Sequence, residues 1–187
     1  MKKTLVTAFI VIALGYTVSY AYSQTGKKES MVGGSAMYPS KNIIQNAANS
    51  KDHTTLVAAV KAAGLVDTLS GPGPFTVFAP TNEAFEKLPS GTVDILLKPE
   101  NKDTLVKVLT YHVVAGRVTS KDLRKMIKGG RGRAAIKTVQ GEDLTASIGD
   151  GKVMLTDAKG GISTVTIADV FQSNGVIHVV DAVLMPN

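Results

Sequence analysis

No cysteine and no tryptophan occur in the 187 residues. The first absence excludes disulfides, thiolate metal centres, cysteine nucleophiles and lipid attachment through an N-terminal cysteine. The second excludes a tryptophan platform for stacking sugars. Histidine is scarce too: His53, His112 and His178 are the only three, none at chelating spacing from another, and neither an H-E-x-x-H motif nor an Asp-rich calcium loop occurs. No metal and no cofactor is expected. A nucleophile elbow, a phosphate loop and the kinase motifs are also missing. Gly130-Arg131-Gly132-Arg133-Ala134-Ala135 fits a degenerate dinucleotide-binding string, but it follows a basic helical stretch instead of a strand, so it reads as a chance match. Glu142-Asp143 falls in a turn and reads as a solvated pair, not a catalytic dyad. No set of catalytic residues is assembled, and the chain is not expected to be an enzyme.

What is present suits a single packed domain: 44% of the residues are hydrophobic and 19% charged, which rules out wholesale disorder. Lys2 and Lys3 precede an uncharged run from Leu5 to Val18, followed by small residues at Ser19, Ala21 and Ser23. This predicts a signal peptide over residues 1–23, too short to anchor in a bilayer. The mature protein is therefore expected in the periplasm or outside the cell, held together by packing alone. Residues 24–40, QTGKKESMVGGSAMYPS, lack an apolar period and predict a flexible spacer. Residues 41–187 remain as the domain.

Within that domain helices come first. Ile43, Ile44 and Ala47 share a face, and Leu56, Val57, Val60 and Ala63 repeat at helical spacing before Gly64. Phe75 to Ala79 is a β-type run ended by Pro80. Helices are predicted to begin near Asn82, Thr92 and Asn101, and Thr119 with Asp122 predicts a capped basic helix. Later, Leu144, Ala146 and Ile148 alternate, Gly149-Asp150-Gly151 turns, and Val153 with Leu155 alternates back, predicting a hairpin. Val165–Val170 and Gly175–Leu184 predict two more strands, the last apolar on both faces and hence central. Helices first and mostly antiparallel strands later define an α+β class.

Three blocks stand together in this order: Gly73-Pro74-Phe75-Thr76-Val77-Phe78-Ala79-Pro80-Thr81-Asn82-Glu83-Ala84-Phe85, then Tyr111-His112, then Asn174 to Pro186, NGVIHVVDAVLMP. They resemble the two signature segments and the central Tyr-His motif of the fasciclin (FAS1) domain family. The resemblance implies a wedge of two β-sheets, about seven strands, with short helices along one side, and a role in adhesion or extracellular binding. It also implies two further readings. In animal relatives the Tyr-His pair and a nearby Asp-Ile pair are implicated in integrin binding, which transfers here to Tyr111, His112, Asp169 and Val170, with Val170 departing from the family's Ile. Some relatives carry apolar pigments, so a cleft in the helix cluster is the alternative function.

The residues themselves give His112 and His178 a structural reading. Leu105, Val108, Leu109 and His112 stand at i, i+3, i+4 and i+7, turning His112 inward, where a neutral imidazole would donate one hydrogen bond and accept another, tying the helix to the strand after it. The charge is clustered as well. From Arg117 to Lys137 eight basic residues stand against one acid, Asp122, a net +7, while the rest of the mature chain is negative. Arg124, Lys125, Arg131 and Arg133 are the expected contacts. Such a segment suits a cell-surface or matrix protein, an anionic polysaccharide or peripheral contact with a membrane surface. It does not suit nucleic acid, because no aromatic interleaves it. The protein is expected to be a monomer.

Overall fold

The structure, a computed structural model, describes residues 29–187. The predicted signal peptide lies outside the described residues, and so does the start of the predicted spacer. The described part of that spacer corrects the expectation. Strands β1 (Ser30–Val32) and β2 (Ser35–Met37) pair antiparallel. Gly33 and Gly34 turn the hairpin at φ 59° and 72°, the left-handed backbone that a two-residue turn requires and glycine adopts without strain. Val32 and Met37 are 4% and 3% exposed. Apolar burial of these side chains, invisible to composition, ties the hairpin to the domain.

Helix α1 (Ile43–Ala47) starts at a capping box in which Asn42 and Gln45 bond each other's backbone amides. Helix α2 (Thr54–Ala63) turns Leu56, Ala59, Val60 and Ala63 inward, and α3 (Val66–Ser70) follows. Strand β3 (Phe75–Pro80) comes next. Helices α4 (Asn82–Glu86), α5 (Thr92–Leu96) and α6 (Lys102–Tyr111) begin at or beside the residues predicted to start them. After β4 (Val113–Ala115) comes α7 (Ser120–Gly129), with the expected Thr119–Asp122 capping box. Strands β5 (Arg133–Lys137), β6 (Asp143–Gly149), β7 (Lys152–Thr156), β8 (Ile162–Gln172) and β9 (Gly175–Val180) complete the chain.

The seven later strands form one sheet in the order β4-β3-β9-β8-β7-β6-β5, antiparallel except between β3 and β9. The sheet curls, and its two edges meet where the Val139 amide donates to the Val113 carbonyl at 2.7 Å. Two cores result. One lies between the sheet and the layer of α1, α2, α4 and α6, where Val77, Ala79, Ile177 and Val179 face Leu56, Val60, Leu105 and Val108. The other fills the inside of the curl, where Phe78, Val165 and Val180 meet Leu144, Leu155 and two residues of α7, Leu123 and Ile127. Strand β9 serves both cores, because alternate residues point to opposite faces. All six of its residues are buried, as its two apolar faces predict. The α+β class and the helices-on-one-side layout are as expected; the strands divide seven to two between the curled sheet and the N-terminal hairpin.

Candidate functional site

The Tyr111-His112 pair closes α6 against the rest of the chain and presents nothing to solvent. Tyr111 is 0% and His112 2% exposed. The Tyr111 hydroxyl donates to the Asp143 carbonyl at 3.1 Å and accepts the Ala158 amide at 3.0 Å, joining the start of β6 to the loop after β7. His112 Nδ1 donates to the Val108 carbonyl at 2.8 Å, and Nε2 accepts the Leu184 amide at 2.9 Å. The imidazole thus ties the helix to the C-terminal segment, not to the strand that follows the helix. Burial pulls its pKa down to about 4, so it is neutral and holds one donor and one acceptor.

Asp169 and Val170 play an analogous part. Val170 is 1% exposed and lies in the helix-side core. Asp169 sits at φ 59° where the register between β8 and β9 shifts. Its carboxylate accepts the Ser120 amide at 2.7 Å and the Ser120 hydroxyl. Its own amide donates to His178 Nδ1 at 3.3 Å, and His178 Nε2 donates to the Val118 carbonyl at 2.9 Å. Burial also lowers the pKa of His178. Asp169 therefore fixes the start of α7, near the positive end of the helix dipole.

What this anchoring presents is a basic face. Leu123 and Ile127 plug the curl, leaving Lys121, Arg124, Lys125 and Lys128, at i, i+3, i+4 and i+7, as one exposed stripe. Arg131 and Arg133 continue it through the turn into β5, both exposed. Arg124 donates to the Gly151 carbonyl at 2.6 Å. Among the described residues the one ion pair is Lys137–Asp143 at 3.9 Å, so the stripe's cations are in no direct ion pair, and the one acid on the helix, Asp122, is taken up by the Thr119 cap. Arg124, Lys125, Arg131 and Arg133 are all exposed along α7 and the turn into β5, whereas Tyr111, His112 and Val170 are buried.

A profile of the fasciclin domain matches residues 51–186. The chain belongs to the fasciclin domain family. It is 48% identical over 181 residues to Protein sll1483 of Synechocystis sp., covering 96% of this chain and 93% of that one. It is 36% identical over 148 residues to the cell surface glycolipoprotein MPB83 of Mycobacterium bovis, covering 75% of this chain and 58% of that one. A solved FAS1 domain pair from the insect cell adhesion molecule Fasciclin I aligns with a TM-score of 0.70 and 19% identity, over 78% of this chain and 51% of that one. That likeness concerns the fold alone.

Two cavities complete the picture of this fasciclin domain. The one between its helix layer and its sheet, lined by residues such as Ile43, Leu56, Val60, Leu109 and Ile177, measures about 30 Å³, an order of magnitude below the roughly 300 Å³ at which ordinary ligand pockets begin. A pigment does not fit there in this conformation. The second is a polar cleft of about 740 Å³ lined by residues of α1, the Ser70–Pro74 loop, Arg117 and the turn between β8 and β9. Sequence reading counted Arg117 with the basic segment and missed the cleft, since its walls come from four separate stretches of chain. Asn174, in the last signature block, was its one legible signal. No helix among the described residues is long and apolar enough to cross a membrane.

Proposed function

We propose that this is a secreted, non-enzymatic fasciclin module that adheres to an extracellular or cell-envelope surface through its basic face, with anionic polysaccharide as the partner. The observation that carries this reading is the stripe of α7, four cations on a helix pinned at both its start and its buried side, against a single acid, Asp122, that is engaged in the helix cap. Fixed like charges at helical spacing attract a polyanion without first having to be ordered. A relative supports the same direction: the mycobacterial protein MPB83 is a cell surface glycolipoprotein. The tiny apolar cavity argues against the carrier alternative.

The test is retention on an anionic polysaccharide column across a salt gradient. Screening shortens the reach of exposed charges to below about 10 Å above 0.1 M salt, so the parent should elute progressively earlier as salt rises. A variant with Arg124, Lys125, Arg131 and Arg133 all changed to Gln should barely bind while melting close to the parent, because exposed charges add little to stability. Equal elution of the two would overturn the reading. Export rests on residues 1–23 and has its own check: mass spectrometry of exported protein should find Tyr22 or Gln24 at the N-terminus, and an intact Met1 would refute processing.

A further inference from the structure

We infer that the polar cleft at Arg117 is a binding site for one acidic sugar unit, whose carboxylate or sulfate is held by the Arg117 guanidinium. The cleft is an open surface groove of about 740 Å³, wide enough for one sugar unit but less enclosing than the pockets that bury a small ligand. Its lining contains one charged residue, Arg117, and no acid. Arg117 is exposed yet oriented, because one of its terminal nitrogens donates to the Gln172 carbonyl at 3.2 Å. The remaining N–H groups of the fork stay available to a planar anion.

The rest of the lining suits a sugar. The hydroxyls of Ser70 and Ser173 make no hydrogen bond to any described residue. Gln45 accepts the Asn42 amide through Oε1, at 3.0 Å, and its NH₂ makes no hydrogen bond among the described residues. Pro72 and Pro74 add C–H surface of the kind that packs against a sugar ring face. The walls are also preorganised, which lowers the ordering cost of binding. Asn174 Oδ1 accepts the Ile43 amide at 3.0 Å, and its Nδ2 donates to the Leu69 and Gly71 carbonyls at 2.8 and 2.9 Å. One side chain thereby joins three walls. A Cβ on Gly73 would stand 2.0 Å from the Asn174 carbonyl oxygen, so the loop packs there without space to spare.

Cleft and basic face adjoin along β8. Arg117 is held at Gln172 and Ser120 at Asp169, three residues apart on that strand, about 10 Å. A polyanion lying on α7 would reach the cleft within its next few units, a clause that rests on the adhesive reading above.

The exported protein titrated with trigalacturonic acid, followed by calorimetry at low salt, tests this directly. Saturable one-to-one binding is expected, at least tenfold weaker for Arg117→Gln and partly restored for Arg117→Lys, with parent-like melting of both. The neutral trisaccharide maltotriose should not compete. The fourfold variant of the basic face should keep trisaccharide binding while losing polymer retention, which separates a failure of the basic face from a failure of the cleft. Absence of saturable binding, parent-like binding by Arg117→Gln, or equal binding of maltotriose would each overturn the site.

Discussion

His112 Nε2 accepts the Leu184 amide at 2.9 Å across 72 residues of chain. The same ring is bonded at Nδ1 to Val108, so it spans from the last turn of α6 to the segment that leaves the sheet. Changing His112 to Phe keeps the volume and strands one buried donor and one buried acceptor. An unpaired buried group costs roughly 1 to 3 kcal/mol. Denaturant melts of His112→Phe should show a midpoint shift of that size with polysaccharide retention intact. A parent-like melt with lost retention would mean that the residue contacts the partner.

The same burial makes stability pH-dependent. His112 has a native pKa of about 4 against 6.5 when unfolded, and burial lowers His53 and His178 as well. Below pH 6.5 the unfolded chain takes up protons that the native chain refuses, so stability is full above that value, declines as pH falls toward 4, and levels off beneath it. For His112 the loss is about 3 kcal/mol, at 1.36 kcal/mol per unit of pKa difference. Urea midpoints measured between pH 7 and 4.5 should fall accordingly, and less steeply for His112→Phe. Midpoints that do not move over this range would contradict the buried, neutral assignment.

Asp169 offers a way to loosen the basic face without touching it. Asn in its place tolerates the left-handed backbone at φ 59°, yet withdraws the charge that Ser120 bonds. Hydrogen bonds to a charged partner contribute about 1.5 to 3 kcal/mol. Asp169→Asn should therefore speed amide exchange in the first turn of α7 and leave α6 protected as before. Unchanged protection at residues 120–124 would show that the plug residues Leu123 and Ile127 hold the helix unaided.

How far these features could be read in advance depended on whether their cause was local. The α7 cap and stripe were legible, because Thr119, Asp122 and the Leu123–Ile127 spacing lie within one helix. Strand β9 was legible as central from its two apolar faces. The inward turn of His112 was legible from helical spacing, but its partner Leu184 was not, since that bond is set by tertiary packing alone. The cleft escaped for the same reason, its Arg117, Ser70 and Ser173 being distant in sequence. The hairpin was different: Gly33-Gly34 between short apolar pairs is a turn signal, and glycine-rich composition masked it.

That hairpin supplies a last prediction. Val32 and Met37 pack with Ala79, Val170 and Ile177 and help cover His53, and Ser35 donates to the Asn49 carbonyl at 2.6 Å. Each fully buried side chain of this kind contributes about 1.5 to 3 kcal/mol, part of it offset by ordering the strand. A chain beginning at Lys41 should consequently melt roughly 5 to 10 °C below one beginning at Gln24, at 2 to 4 °C per kcal/mol for a domain of this size. Truncation could act by some other route, so a point change provides the control. At Gly33 a Cβ would stand 2.5 Å from Ser50 Oγ and 2.7 Å from the Asp52 amide nitrogen, and the φ there penalises a branched residue. Gly33→Val should reproduce most of the loss, whereas Gly34, whose Cβ would meet nothing within 4 Å, should tolerate Asn. If both the truncated chain and Gly33→Val melt with the parent, residues 29–40 are a tether, as their composition suggests, and the hairpin adds nothing to the core.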